Sequence, residues 1–188
     1  MGTWGVDVFE NDAAADLLGD VDDASVGDRA GVLRERLVRV AEAVGEYLEG
    51  PDADEAFTAA VILAIAGGAL DAGEFTGADD HLGASAQSLG SPDATTVSLA
   101  LRALARIAEP EQNEWLALWE EAGELADALG RLGSVRAALE AVEPGAGPGW
   151  AASPGSRPPM EKSPNHPNAK ASLVAQLTWV RAVPVLGT

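Results

Sequence analysis

The residues of this sequence that could do chemistry lie in one acidic stretch that ends in a histidine. Asp79, Asp80 and His81 are consecutive, and Asp71 and Glu74 lie a few residues before them. Carboxylate oxygens and imidazole nitrogens bind divalent metal ions, and a histidine beside carboxylates can act as a general base. These five residues are therefore the predicted ligands of a metal site, and they support one hypothesis, a metal-dependent hydrolase. No nucleophile completes a catalytic set, so the preferred interpretation is a solvated loop in a protein without enzymatic activity.

A second cluster of carboxylates, in residues 16–28, does not match the calcium loop of an EF-hand. A loop that begins at Asp20 would have Ala24 at its fifth position and Gly31 at its twelfth, where an EF-hand places oxygen ligands. We interpret the cluster as solvated carboxylates at a helix end, with an irregular site for a divalent ion as the alternative. The sequence predicts no bound cofactor.

Composition and charge narrow the classes of partner. The 188 residues include 30 acidic and 12 basic side chains, a net charge of −18, and no cysteine. A surface of this sign repels nucleic acids and anionic membranes, and the lack of cysteine excludes disulfides, thiolate catalysis and cysteine-ligated zinc. The first residues do not resemble a signal peptide. We therefore expect a cytoplasmic protein that binds neither nucleic acid nor membrane.

The charge is unevenly distributed along the chain. Residues 1–143 hold 29 acidic and 8 basic side chains, a charge of −21, whereas residues 144–188 hold 1 and 4, a charge of +3. Eight of the 11 prolines also lie in the second part, and proline with glycine disfavours regular structure. The sequence predicts an acidic helical domain, residues 1–143, followed by a flexible tail rich in proline and glycine, residues 144–188.

The elements that would position these residues are helices. Alanine, leucine and valine dominate the apolar residues, which favours packed helices over a β-sandwich. Apolar residues at helical spacing predict an amphipathic helix over 28–49, with Val44 and Leu48 on its buried stripe. Residues 51–66 predict a central buried helix, 70–90 a long connection, 91–108 another helix, and 111–142 a last helix that a glycine could interrupt. We expect an all-α fold, a compact bundle of four to five helices, with an extended arm at the amino terminus.

The predicted arm carries the most distinctive motif in the chain. Gly2 and Gly5 flank the pair formed by Thr3 and Trp4. Phe9 precedes Asn11 and Asp12, either of which can cap a first helix. The two aromatic residues are typical of anchors that hold an extended segment on a bundle. We predict that Trp4, Phe9, Asn11 and Asp12 contribute to a binding groove, together with Trp119 of the last helix. For Trp119 and its neighbour Trp115, packing in the core is the preferred alternative.

The motif M-G-x-W-G, three residues, then F-x-N-D-x-A-x-D, resembles the opening of the bacterial domain-of-unknown-function 4259 family. The similarity continues through the acidic first helix, the arginine-rich second helix and the last helix, and covers about residues 1–142. One difference is Asp7, where the family often has glycine, and the tail after Glu143 has no counterpart there. The resemblance implies a fold but no activity, ligand or catalytic residue.

The preferred functional hypothesis is a non-enzymatic protein-interaction module. It would bind a protein partner, most simply a basic one, through its acidic surface or through a groove beside the arm that carries Trp4 and Phe9. Such an association weakens as salt screens the charges. The hydrolase that uses the Asp71 to His81 stretch is one alternative, and a mimic of nucleic acid that occupies the site of a DNA-binding protein is another.

Overall fold

Seven α-helices make up the part of the chain that the computed structural model describes, which is residues 8–9, 11–75, 81–145 and 150. They are α1 (Asp12–Asp23), α2 (Arg29–Glu42), α3 (Gly50–Ala66), α4 (His81–Leu89), α5 (Ala94–Ile107), α6 (Glu114–Ala122) and α7 (Leu125–Ala141), with a short 3-10 turn at Ala72–Glu74. These residues contain no strand, only a single bridge between Leu48 and Asn113. The predicted all-α class is confirmed, and the predicted count of four to five helices is wrong.

The central helix is α3, as the sequence predicts. Its apolar side chains point in every direction, and eleven of its seventeen residues are buried. All six other helices pack against it, so the hydrophobic core is arranged around α3. Burial on every side explains why this helix shows no polar stripe. No helix within the described residues has the length and hydropathy that a membrane crossing requires.

The second helix ends earlier than predicted. It stops at Glu42, and the chain then turns at Gly45, which has a φ of 76° that favours glycine. Val44, predicted to be buried, is 76% exposed, whereas Leu48 is buried beyond the turn. Leu48 is held there by its N–H, which donates to the carbonyl of Gln112 at 2.8 Å. A pairing with a distant segment therefore replaces the last two turns of the predicted helix.

The predicted long connection between residues 70 and 90 contains a helix that the sequence prediction missed. Helix α4 occupies its second half, and Leu82, Ala86 and Leu89 of this helix are fully buried. Their spacing of four and three residues is that of one helical face. Glycine and serine between them make the segment resemble a loop in composition, and burial of the apolar face against α3 stabilises the helix nonetheless.

The predicted last helix is two helices. Gly123 has a φ of 77° and ends α6 in the left-handed conformation, after which α7 begins at Leu125. Gly130 and Gly133 lie within α7 and do not interrupt it. Because the two helices change direction at Gly123, not every apolar residue predicted to face the core does so. Ala122 and Leu129 are exposed.

The chain remains attached to the bundle just after α7. The N–H of Gly145 donates to the carbonyl of Pro92 at 2.9 Å, and the indole N–H of Trp150 donates to the carbonyl of Gly90 at 3.1 Å. Trp150 is buried. These two residues lie beyond the boundary predicted at residue 143 and belong to one compact unit with the helices, Met1–Ala152. The flexible tail stays a prediction, because residues 151–188 lie outside the described part of the chain.

Candidate functional site

An open cleft lies beside the carboxyl end of α3. The helix ends at Gly67, and Gly68, with a φ of 73°, turns the chain into the segment 69–75. This segment forms one wall of a cleft of about 380 Å³, and α4 forms the other wall with Gly83 and Gln87. The volume is at the lower end of the range found for ligand pockets. The residues that line the cleft are Ile65, Gly68, Ala69, Leu70, Asp71, Ala72, Glu74, Gly83 and Gln87.

Two predicted site residues, Asp71 and Glu74, line this cleft. Both are exposed, and an oxygen of Asp71 accepts a hydrogen bond from the N–H of Gly73 at 2.9 Å, which fixes the turn between them. Neither carboxylate forms an ion pair with any arginine of the described residues. The cleft therefore combines a few apolar side chains with two carboxylates that form no ion pair within the described residues.

A second, smaller cleft continues from the first. Its volume is about 180 Å³, and it shares Leu70 and Glu74 with the larger cleft. Val8 and Phe75 line it on one side, and α7 lines it on the other with Arg131, Ser134 and Val135. The carboxylate of Glu74 thus lies where the two clefts meet.

The motif at the amino terminus positions the edge of this second cleft. The ring of Phe9 is buried and packs edge-on against Phe75, with 5.6 Å between the ring centres. Asn11 caps α1 through its oxygen, which accepts from the N–H of Ala14 at 2.7 Å, and its amide group donates to the carbonyl of Val8 at 3.1 Å. Of the described residues in this segment only Val8 lines the smaller cleft, so the groove predicted beside the arm stays a prediction. Asp12 is exposed in the first turn of α1, and Trp4 lies outside the described residues.

The predicted metal site is only partly placed by the structure. Asp71 and Glu74 lie on the cleft, and α4 begins at His81, but Asp79, Asp80 and the side chain of His81 lie outside the described part of the chain. Within the described part, no group of three or more histidine, aspartate or glutamate side chains could hold a metal ion. The five-residue metal site stays a prediction.

Trp115 and Trp119 pack in the core, as the preferred interpretation of this pair predicts. Their rings meet edge-to-face at 5.9 Å, and Trp115 meets Phe57 of α3 in the same way at 6.1 Å. Trp119 is 9% exposed, and a ligand-binding role for it stays a prediction. The indole N–H of Trp115 donates to Asp54 at 2.7 Å. Burial raises the pKa of Asp54 to about 6, and this hydrogen bond opposes the rise.

The amino end of α3 carries a network of ion pairs that the sequence analysis missed. Arg36 of α2 contacts Asp20 of α1 at 2.8 Å and Glu55 of α3 at 2.9 Å. Arg39, one turn later, contacts Asp52 at 2.9 Å and Glu55 at 3.6 Å. Burial raises the pKa of Glu55, and the two arginines oppose that rise. One signal in the sequence was the spacing of Glu35 and Arg39, four residues apart on α2, which lie 3.6 Å from each other in the structure.

The fold and the cleft define this chain as a small all-α protein with an acidic cleft beside its central helix. It belongs to the family described as Domain of unknown function (DUF4259), whose model matches residues 2–130. The match confirms the resemblance to this family, and it reaches through α6 into the first residues of α7. No curated protein and no solved structure matches the chain.

Proposed function

We propose that this protein is a non-enzymatic protein-interaction module that receives a lysine or arginine side chain of a partner protein in the cleft beside α3. One observation carries the proposal: Asp71 and Glu74 lie at the edge of a cleft of about 380 Å³ and have no ion-pair partner within the described residues. A basic side chain supplies the missing positive charge.

The shape of the cleft suits a long basic side chain. Most of its lining is polar, but Ile65, Ala69 and Leu70 contribute apolar side chains, against which the methylene groups of lysine or arginine can pack. The charged end of such a side chain would then reach the carboxylates at the edge. Because the smaller cleft shares Glu74 with the larger one, the same carboxylate can contact a second residue of the partner beside Val8.

The distribution of charge supports the same partner chemistry. Between Arg39 and Arg102 the chain has no lysine or arginine, and this stretch supplies every residue of the larger cleft. A negative potential over such a surface accelerates association with a positively charged protein and disfavours nucleic acid. The hypothesis also explains why the site contains carboxylates without an evident nucleophile.

The test uses the full chain and a labelled peptide that contains only lysine and serine. At low salt we expect the peptide to bind, and the double variant Asp71→Asn/Glu74→Gln to weaken its affinity about tenfold or more, because both contacts are charge-assisted. Affinity is measured by fluorescence anisotropy. The side-chain oxygen of the asparagine introduced in place of Asp71 can still accept the hydrogen bond from Gly73, so the turn is retained.

A matched control removes the same amount of charge elsewhere. Asp16 and Asp23 are exposed on α1 and make no ion pair within the described residues. The variant Asp16→Asn/Asp23→Asn should weaken the binding of the peptide about twofold at most, through the general change in electrostatic potential. If both double variants weaken binding equally, the cleft has no special role and the proposal is wrong.

Titration with metal ions separates this proposal from the hydrolase alternative. Calorimetry with Mg²⁺, Mn²⁺, Ca²⁺ and Zn²⁺ on the full chain would detect a site formed by the Asp71 to His81 stretch. Binding tighter than millimolar that is lost in Asp71→Asn/Glu74→Gln would favour the metal site. We expect no such binding, because two exposed carboxylates form a poor site on their own.

A further inference from the structure

A second surface, at the opposite end of α3, displays apolar side chains. Val44 is 76% exposed and Tyr47 is 59% exposed, the two highest values among the exposed large apolar residues of the described chain. Both lie in the loop 43–49, which leads from α2 into α3. We call this the Val44 loop. Isolated apolar residues on a surface are common, so their exposure alone does not indicate a function.

A buried arginine holds the Val44 loop in place. Arg106 of α5 is 3% exposed, and its guanidinium donates to the carbonyl of Ala43 at 3.0 Å and to the carbonyl of Glu46 at 2.6 Å. One of its terminal nitrogens, Nη1, has no hydrogen-bond partner within the described residues. Burying a cation is costly, and here the cation serves to fix the backbone on both sides of an exposed valine. Two hydrogen bonds from a buried side chain therefore hold the backbone of the loop against α5.

The far end of the Val44 loop is fixed as well. Leu48 exchanges backbone hydrogen bonds with the segment before α6, donating to Gln112 at 2.8 Å and accepting from Glu114 at 3.0 Å. The side chain of Glu114 also accepts from the N–H of Gly50 at 2.8 Å. Leu118, one turn further along α6, is 49% exposed and lies against Gly50, where an added Cβ would be 3.2 Å from its Cδ1. It adds a third apolar side chain close to the loop.

The negative charge around the Val44 loop limits which class of partner can bind there. Exposed carboxylates flank it from both segments, namely Glu46, Glu49 and Glu111, and also Glu109, which lies 3.9 Å from the guanidinium of Arg106. The loop 43–49 and residues 107–118 contain no lysine or arginine. A second copy of the chain would bring like charges together, which is unfavourable. A partner must instead combine apolar side chains with basic ones.

We propose that the Val44 loop, with Leu118, is a docking surface for an amphipathic basic helix of a partner protein, and that Arg106 is the residue that positions it. An amphipathic helix places apolar side chains on one face and lysine or arginine beside them. The apolar face packs on Val44, Tyr47 and Leu118, and the basic residues meet the surrounding carboxylates. A preorganised loop loses little conformational entropy on binding. This surface is separate from the cleft and does not depend on it.

The experiment uses three labelled peptides of roughly 14 residues, four helical turns, with the full chain at low salt. One combines leucine on one helical face with lysine, one combines leucine with glutamate, and one combines serine with lysine. We expect the leucine–lysine peptide to bind most tightly, and the variant Val44→Ser/Tyr47→Ser to weaken it about tenfold, because exposed aromatic anchors dominate such contacts. The affinity of the serine–lysine peptide should fall by no more than about twofold in the same variant.

Val26 provides the matched control. It is 54% exposed in the turn before α2, whereas Val44 follows the other end of that helix. The variant Val26→Ser removes a similar apolar side chain and should leave the affinity of the leucine–lysine peptide unchanged. Equal effects of Val26→Ser and Val44→Ser/Tyr47→Ser would overturn the proposal. So would a dimer in solution that Val44→Ser/Tyr47→Ser converts to a monomer, since the surface would then bind a second copy.

The positioning role of Arg106 has its own test. Arg106→Lys cannot hold both carbonyls in the same geometry, so the leucine–lysine peptide should bind severalfold more weakly although Val44 and Tyr47 are present. If this variant does not fold, Gly45→Ala tests instead whether the conformation of the loop matters for binding, because a Cβ there meets open space but is disfavoured by the φ of 76°. A folded variant with an altered loop and undiminished peptide affinity would show that Arg106 is only structural. The cleft variants do not touch this loop, so either proposal can fail alone.

Discussion

Acidic residues at the two ends of α3 differ in their partners. At the amino end, Asp52 and Glu55 are paired with Arg39 and, for Glu55, also with Arg36. At the carboxyl end, roughly 25 Å away along a 17-residue helix, Asp71 and Glu74 have no such partner among the described arginines. Carboxylates at the first end hold α1, α2 and α3 together. Those at the second end leave a negative potential over a cleft.

The difference follows from where the arginines lie. Four of the eight basic residues before position 144 belong to α2, which packs against the amino end of α3. The carboxyl end packs instead on α4, which has no arginine or lysine, and Arg131 of α7, also among the described residues, lines the smaller cleft with Glu74 but forms no ion pair with it. The acidic residues therefore divide into carboxylates that form ion pairs and contribute to stability, and carboxylates that form none within the described residues and are available to a partner.

The largest effect is expected from removing the central cation of the paired end. Arg36 is 16% exposed and contacts three carboxylates, Asp20, Glu35 and Glu55. Arg36→Met should lower the free energy of unfolding by about 3 kcal/mol, because Glu55 would be left partly buried beside other carboxylates. Chemical denaturation at neutral pH measures this value.

Arg39 gives the matched comparison. Its side chain is 44% exposed, so water already screens its ion pairs, and Arg39→Met should cost about 1 kcal/mol at most. Raising the salt concentration should reduce the loss in Arg39→Met more than the loss in Arg36→Met. If the two variants lose the same stability, the amino end is not organised around Arg36 as we describe.

A second, intermediate effect concerns the carboxyl group of Asp54 on the same end of α3. Its folded pKa is about 6 against an ordinary value of 3.8, so the protonated form favours folding. The stability it contributes is complete below about pH 4 and is lost as the pH rises through 6. Asp54→Asn should therefore be more stable than the parent by about 2 kcal/mol at pH 8, with little difference at pH 4.

Thermal unfolding followed across this pH range checks the prediction. The asparagine side chain can still accept the hydrogen bond from Trp115, so the variant changes charge and little else. A stability difference that is the same at pH 4 and pH 8 would mean that Asp54 is not protonated in the folded protein near pH 6. The pH dependence is the critical readout, since a constant gain would have another origin.

The smallest effect on stability is expected at the unpaired end. Asp71→Asn/Glu74→Gln removes two exposed carboxylates that contact no arginine of the described chain, so the free energy of unfolding should change by less than about 0.5 kcal/mol. Denaturant titrations of this variant and of Arg36→Met under the same conditions compare the two losses of stability directly. A loss above about 2 kcal/mol would show that these carboxylates support the fold, and the comparison between the two ends would fail.

Local patterns in the sequence were enough for some elements. Continuous apolar character predicted α3, and Asn11 and Asp12 predicted a cap for α1, which Asn11 provides, because both features depend on residues close in sequence. Helix α4 was missed because glycine and serine separate its buried Leu82, Ala86 and Leu89. Its stability comes from packing on α3, which composition does not reveal.

Long-range contacts account for the other errors. The end of α2 depends on Arg106 of α5, which donates to the carbonyls of Ala43 and Glu46. These residues lie 63 and 60 positions before it in the sequence. The candidate cleft was half predictable: Asp71 and Glu74 stand out as acidic residues in a glycine-rich stretch. One wall includes Ile65 on α3 and the opposite wall comes from α4, and only the folded chain brings them together.

The most direct test of the central claim is a nuclear magnetic resonance titration of the full chain with the lysine–serine peptide. We predict that backbone amide shifts change most for residues 69–75 and for Gly83 and Gln87, where unpaired carboxylates line the cleft. Residues 52–55, whose acids are paired or buried, should change little. Changes of equal size at both ends of α3, or changes confined to residues 52–55, would contradict the account.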